Sequence, residues 1–215
     1  MRVIFLDIDG VLNADDDFGG KSKPNPYVST DYGGRFCGIG KSHVRELKKI
    51  VDKTGAKIVL VSSWKNDYED YLRHGYYNRV GKYLHNKLRA LGLEIYDNTA
   101  RYDLSNGSNR GYEITKWLEE HPEVNNWVVL DDEKFSDYDF LKITDHLIQI
   151  SPKLGLWQLP ALQAVYKLTG YKDPWLESHE KWAKFCSDLT SITFPEIIEK
   201  EPVIVKPSIN TRRKK

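Results

Sequence analysis

The run Val3-Ile4-Phe5-Leu6-Asp7-Ile8-Asp9-Gly10-Val11-Leu12-Asn13 decides how the rest of the chain is read. Four apolar residues lead straight into Asp-Ile-Asp-Gly, the pattern of a short buried strand ending in carboxylates. Side chains two apart on a strand share a face, so Asp7 and Asp9 can point together from its carboxyl end. Gly10 lets the backbone turn there. Two carboxylates at the end of a buried strand are costly unless positive charge compensates them, which points to a metal ion.

Outward from this run, residues 14–40 carry Asp15-Asp16-Asp17, two Gly pairs and Lys23-Pro24-Asn25-Pro26, a loop or short-hairpin composition. A loop this long in a compact domain acts as a lid or binding loop, here the natural specificity element. Val44, Leu47, Ile50 and Val51 predict a helix over 42–53, capped by Gly55. Lys57-Ile58-Val59-Leu60-Val61 reads as a second strand, ending in Ser62-Ser63-Trp64. Residues 65–78 are polar and tyrosine-rich, and Val80, Leu84, Leu88 and Leu91 then follow at helical spacing, so 65–92 is expected to form a helical segment near the site. A weaker third strand is expected at Leu93-Glu94-Ile95-Tyr96, a loop at 97–109, and a helix over 113–120 with Ile114, Trp117 and Leu118 inward. Trp127-Val128-Val129-Leu130 is a fourth strand ending in Asp131-Asp132, His146 to Ile150 a fifth, and 160–168 the last core helix, stopped at Gly170.

Strands alternating with helices predict an α/β fold: one five-stranded parallel sheet with helices on both faces. In such sheets ligands sit at the carboxyl ends of the strands. Asp7/Asp9, Ser62/Ser63 and Asp131/Asp132 all fall there. The domain is expected to span residues 1–170, with no large inserted cap between the first two strands. Residues 171–215 are expected to form an extension: a helix marked by Trp175, Trp182 and Phe185, then a frayed basic tail from Lys206 to Lys215.

Composition narrows the class. Lys+Arg is 32 and Asp+Glu 31, so the net charge of +1 by itself implies neither a polyanion nor a membrane surface as partner. Cys37 and Cys186 fit no metal spacing and no disulfide framework, which suggests a reducing compartment. No apolar run reaches the roughly 18 residues of a membrane span. The N-terminus enters a core strand at once, so no signal peptide is expected, and the location expected is cytoplasmic.

An Asp-x-Asp alone is weak. The ordered set is specific: strand-Asp7-Ile8-Asp9-Gly10-Val11-Leu12-Asn13, Val61-Ser62-Ser63-Trp64, Arg110-Gly111-Tyr112-Glu113-Ile114-Thr115-Lys116-Trp117-Leu118, and Trp127 to Asp132. It resembles the haloacid dehalogenase (HAD) superfamily of phosphohydrolases over about residues 1–170, counted on the coarse reading of the elements. Within it, the set is closest to the HAD domains of the Swiss-army-knife RNA repair proteins, a branch that Gly155-Leu156 before the last core helix also fits. The resemblance implies a Rossmannoid three-layer sandwich with strand order 3-2-1-4-5. It implies Asp7 as nucleophile, forming an aspartyl-phosphate, and Asp9 as general acid and then base. An Asp at that second position favours phosphatase over dehalogenase. The resemblance gives Mg²⁺ to Asp7, the Asp9 carbonyl and Asp131, with Asp132 a further ligand or a partner of one. Ser62 or Ser63 would contact phosphate, Ser62 being preferred because it directly follows the apolar run, and Arg110 would grip phosphate where many relatives carry Lys.

The expected activity is phosphate-monoester hydrolysis, with a phosphorylated nucleic-acid end, a nucleotide or a small ester as substrate. Two other readings stand beside it. Arg73-His74-Gly75-Tyr76-Tyr77-Asn78-Arg79 interleaves rings and cations, as a nucleic-acid-binding module with little turnover would. A phosphotransferase would use the same residues with another acceptor. Trp64, Trp117 and Trp127 are read as core, and His43, His74, His85 and His146 receive no role.

Overall fold

The computed structural model describes residues 1–14, 38–75, 78–100 and 109–181. Met1–Glu177 forms one compact unit, and residues 178–181 belong to a second. Most of the 14–40 loop, Tyr76 and Tyr77 of the basic-aromatic stretch, both cysteines, Trp182, Phe185 and the basic tail lie outside the described residues.

Five parallel strands form one sheet, as the alternation of elements predicts, in the order β3-β2-β1-β4-β5 that the family resemblance implies. They are β1 (Arg2–Leu6), β2 (Lys57–Leu60), β3 (Ile95–Asn98), β4 (Asn126–Asp131) and β5 (Leu147–Gln149). The central strand, β1, pairs Leu6 with Leu60 on one side and with Leu130 on the other. The chain leaves β1 toward β2 and β3, then crosses back to place β4 on the opposite side. That reversal leaves a crevice at the carboxyl ends of β1 and β4.

The alternation of β1 builds two cores. Ile4 and Leu6 pack with Val44, Leu47 and Ile50 of α1 (Lys41–Thr54) and with Ala161, Ala164 and Leu168 of α5 (Gln158–Thr169). Val3 and Phe5 face the other way, against Ile114 and Trp117 of α4 (Arg110–Glu120). Such a period of two is what a strand buried on both faces requires. The Asp7 N–H donates to Leu130 O at 2.9 Å, continuing the ladder one residue past the strand. The parity then turns Asp7 toward the α4 side.

The sequence reading is refined at three elements, of which α4 starts at Arg110 rather than at residue 113. The third strand starts two residues later than expected, because Leu93 is consumed in the core before the chain enters the sheet. Residues 64–92 form a hairpin of two helices, α2 (Trp64–His74) and α3 (Arg79–Arg89). Asn78 caps α3 by accepting from the Gly81 N–H at 2.9 Å and ties it to α2 by donating to Asp67 and Asp70. Gly81 is needed there, since a Cβ would lie 2.1 Å from the Asp67 carbonyl oxygen. Among the described residues, no helix is long and apolar enough to cross a membrane.

Candidate active site

The sheet register places Asp7 and Asp131 side by side, each at the end of its strand on the α4 face. Both are buried, at 4% and 0% exposure. Arg110, the first residue of α4, reaches across both: its Nη1 lies 2.8 Å from Asp7 Oδ1 and 2.7 Å from Asp131 Oδ2. The Phe135 ring stacks against the guanidinium at 4.5 Å. Tyr138, fully buried, donates its hydroxyl to Asp131 Oδ2 at 3.3 Å, and the Glu133 N–H donates to Asp131 Oδ1 at 3.0 Å. Arg110 is thus built into the site rather than lying on the surface.

Charge is concentrated here. Burial pushes the Asp7 carboxyl up to about 7; Arg110 opposes this, while Asp131, Asp9 and Asp132 add to it. Burial, then Asp131, raises Asp132 as well. Burial disfavours the charge on Arg110, but Asp7 and Asp131 outweigh it and raise the guanidinium above its ordinary value. Burial and the neighbouring Asp131 raise the Tyr138 hydroxyl, so it stays a donor.

One carboxylate oxygen from each of Asp7, Asp131 and Asp132 falls within 4.8 Å of the others. Three hard oxygen donors at that spacing fit a small divalent cation such as Mg²⁺. Gly10 makes the third position possible. Its φ is +71°, and a Cβ there would lie 2.5 Å from the Asp132 carboxylate.

The Asp9 side chain stands apart from that trio. It is exposed, and both of its oxygens accept hydrogen bonds: Oδ1 from Asn13 Nδ2 at 2.7 Å, Oδ2 from Trp64 Nε1 at 3.0 Å. Asn13 Oδ1 accepts in turn from the Gly10 N–H at 2.8 Å, closing the turn. Of the two serines, Ser62 is fully buried and its Oγ accepts from the Trp64 N–H at 3.4 Å, whereas Ser63 is exposed. Ser62 is tied to the site's edge, since the Val61 N–H donates to Leu6 O at 3.0 Å.

Several contributors escaped the sequence reading. Asp137 accepts from the Tyr112 N–H at 3.2 Å and so caps the first turn of α4. Gly111 permits that approach, because a Cβ there would meet the Asp137 carboxylate at 2.9 Å. The Arg-Gly pair that starts α4 therefore has a steric reason. Buried Lys65 donates to Glu113 Oε2 at 2.5 Å and to Thr99 Oγ1 at 3.1 Å, tying α2 to α4 beneath the site. Burial lowers the Lys65 ammonium, against the pull of Glu113. His43 is a strut: its Nδ1 lies 2.7 Å from Leu156 O, and its ring fills the space that a Cβ on Gly155 would need.

A family model described as the HAD domain in Swiss Army Knife RNA repair proteins matches residues 3–159. The chain belongs to this HAD family. No curated protein and no solved structure matches it. Membership makes this HAD domain a hydrolase of the phosphatase kind, from a family that typically uses a divalent metal, as the sequence resemblance anticipates. The matched span starts at β1 and ends within α5, so it takes in every site residue described above.

Proposed function

We propose that this HAD domain is a Mg²⁺-dependent phosphomonoesterase working through an aspartyl-phosphate on Asp7, with phosphorylated nucleic-acid ends as its substrate class. The observation that carries the reading is the buried Asp7–Arg110–Asp131 cluster at the switch point of the sheet. A buried carboxylate beside a guanidinium suits nucleophilic attack on a dianionic phosphate, whose own charge would otherwise repel it.

In the first step an Asp7 oxygen forms a bond to phosphorus while the ester P–O bond breaks. Asp9 gives its proton to the departing oxygen. In the second step water attacks phosphorus, Asp9 takes a proton from that water, and the Asp7–phosphorus bond breaks to release inorganic phosphate. Asp7, Asp131 and Asp132, with the Asp9 carbonyl, would hold Mg²⁺, which supplies neutralising charge for the transferring phosphoryl group. Arg110 turns from its carboxylate partners to the phosphate oxygens, which it can grip bidentately. Ser62, at the end of β2 beside β1, supplies a hydroxyl donor. The nucleic-acid substrate class rests on the family's description and on no contact within the site.

Phosphate release with Mg²⁺ tests the reading. A panel of 3′- and 5′-phosphorylated oligonucleotides, mononucleotides and sugar phosphates should show turnover, highest on the oligonucleotide ends. Asp7→Asn should reduce it to background. Undiminished turnover by Asp7→Asn would sink the mechanism. Release from sugar phosphates alone would sink the substrate class.

A further inference from the structure

We infer that Trp64 is a positioning residue for the proton transfers of Asp9, an inference that rests on the roles given to Asp7 and Asp9 above. Carboxylates at the end of a turn rotate freely unless both oxygens are held. Here each oxygen accepts from a different donor, Asn13 Nδ2 at 2.7 Å and Trp64 Nε1 at 3.0 Å. Two donors on two oxygens fix the plane of the group, and each oxygen keeps a lone pair for a substrate oxygen or a water.

The two donors are not equivalent. Asn13 sits in the same turn as Asp9 and moves with it, bound to the Gly10 N–H. Trp64 comes from another element: it opens α2 directly after β2, is 3% exposed and belongs to the main core. Its ring is buried as part of that core, so the indole N–H has a fixed direction set by packing. An indole has one polar atom and it only donates, so a buried tryptophan whose N–H emerges at Asp9 gives that carboxylate an orientation referenced to the core. Helical spacing accounts for a buried apolar ring at position 64 but gives no reason for an N–H there. The contact spans 55 residues of sequence and joins the end of β2 to the turn after β1. It therefore couples the proton-transferring group to the same edge that carries Ser62.

A positioning role is separable from a packing role by the leaving group. Proton donation matters most when the departing oxygen is a poor leaving group and least when it is already acidic. A series of substituted phenyl phosphates, from phenol to dinitrophenol, varies that property at nearly constant shape. The quantity to follow is kcat/KM with Mg²⁺ present, which covers the reaction only up to departure of the phenol. General acid–base catalysis is worth about 10²–10⁴-fold. Trp64→Phe should forfeit part of it: about tenfold or more on phenyl phosphate and less than about threefold on dinitrophenyl phosphate. The dependence on leaving-group acidity thus steepens toward that of Asp9→Asn. In the Asp9→Asn background, Trp64→Phe should steepen it no further. An equal loss across the series, no loss at all, or further steepening in the double variant would overturn the inference.

A folding defect lowers every substrate by the same factor and leaves the slope unchanged. If Trp64→Phe fails to fold, 3-benzothienylalanine at position 64 keeps the ring shape and replaces the N–H by sulfur, with the same expectations. Wild-type turnover that Asp7→Asn leaves intact would overturn the phosphatase mechanism instead. An unchanged slope with an inactive Asp7→Asn overturns the role of Trp64 alone.

Discussion

Gly10 is where the turn after β1 and the Asp132 carboxylate compete for one volume. Its φ of +71° and the 2.5 Å approach of Asp132 both exclude a Cβ. Gly10→Ala should cost about 1–2 kcal/mol in backbone strain alone, and it must also push Asp132 aside. The expected result is a folded protein with a Tm lowered by a few degrees and a much reduced response to divalent cations, read by thermal shift with and without Mg²⁺. A variant with an unchanged Mg²⁺ response would show that Asp132 is not a ligand. At this scale the sequence was only partly legible. Asp7, Asp9 and Asp131 are readable because charge at the end of an apolar run is conspicuous. Asn13 and Trp64 stood in the quoted motifs, yet neither signalled a bond to Asp9, because periodicity reports which way a residue faces and not where its donor points.

Among the elements, α4 has the most exacting placement, because its first residue must span two strands. Arg110 reaches both carboxylates only if the first turn of α4 is fixed. Two contacts from outside the helix fix it: Asp137 at the Tyr112 N–H and Lys65 at Glu113. The Lys65–Glu113 pair is buried, with side chains 6% and 10% exposed. Breaking such a pair leaves an uncompensated charge in the interior, at about 3–5 kcal/mol. Glu113→Leu should therefore lower Tm by roughly 6–20 °C for a domain of this size. Adding Lys65→Met should restore most of that loss, since neither charge then remains buried. Urea unfolding of the single and double variants decides it, and a double variant no more stable than Glu113→Leu would contradict the account. None of this was visible in sequence. Lys65 looked like one more polar residue in a tyrosine-rich stretch, and the helix that buries it was recognised only as part of a broader helical segment. The start of α4 was placed three residues late because its cap, Asp137, comes from a loop 25 residues downstream.

For the molecule as a whole, the legible part was the sheet: three apolar runs ending in polar clusters, separated by helical spacing, mark a parallel α/β sheet, and the family resemblance supplies its strand order. Only β3 was misjudged, because on its edge the strand is half-buried and lacks a continuous apolar run. What topology does to charge is a global property, and it leads to a stability prediction. The fold brings Asp7 and Asp131 together at the switch point, and burial pushes Asp7 from an unfolded value of 3.8 to about 7. Between those values the native state holds a proton that the unfolded chain has released. Stability of the metal-free protein should therefore fall as pH rises from about 4 to about 7, the direction expected for a carboxyl whose folded value is raised. A divalent cation reverses the balance, because it binds the deprotonated carboxylate and must displace that proton. At about one hundred times its dissociation constant, Mg²⁺ stabilises by about 2.7 kcal/mol, or roughly 5–10 °C in Tm for a domain of this size. That increment should be larger at pH 8 than at pH 6, and Asp7→Asn should remove both the increment and its pH dependence. Thermal unfolding of wild type and variant at the two pH values, with Mg²⁺ and with chelator, measures all three quantities. A Mg²⁺ increment that is equal at both pH values would mean that the cation binds without displacing the Asp7 proton, and would place it away from the cluster.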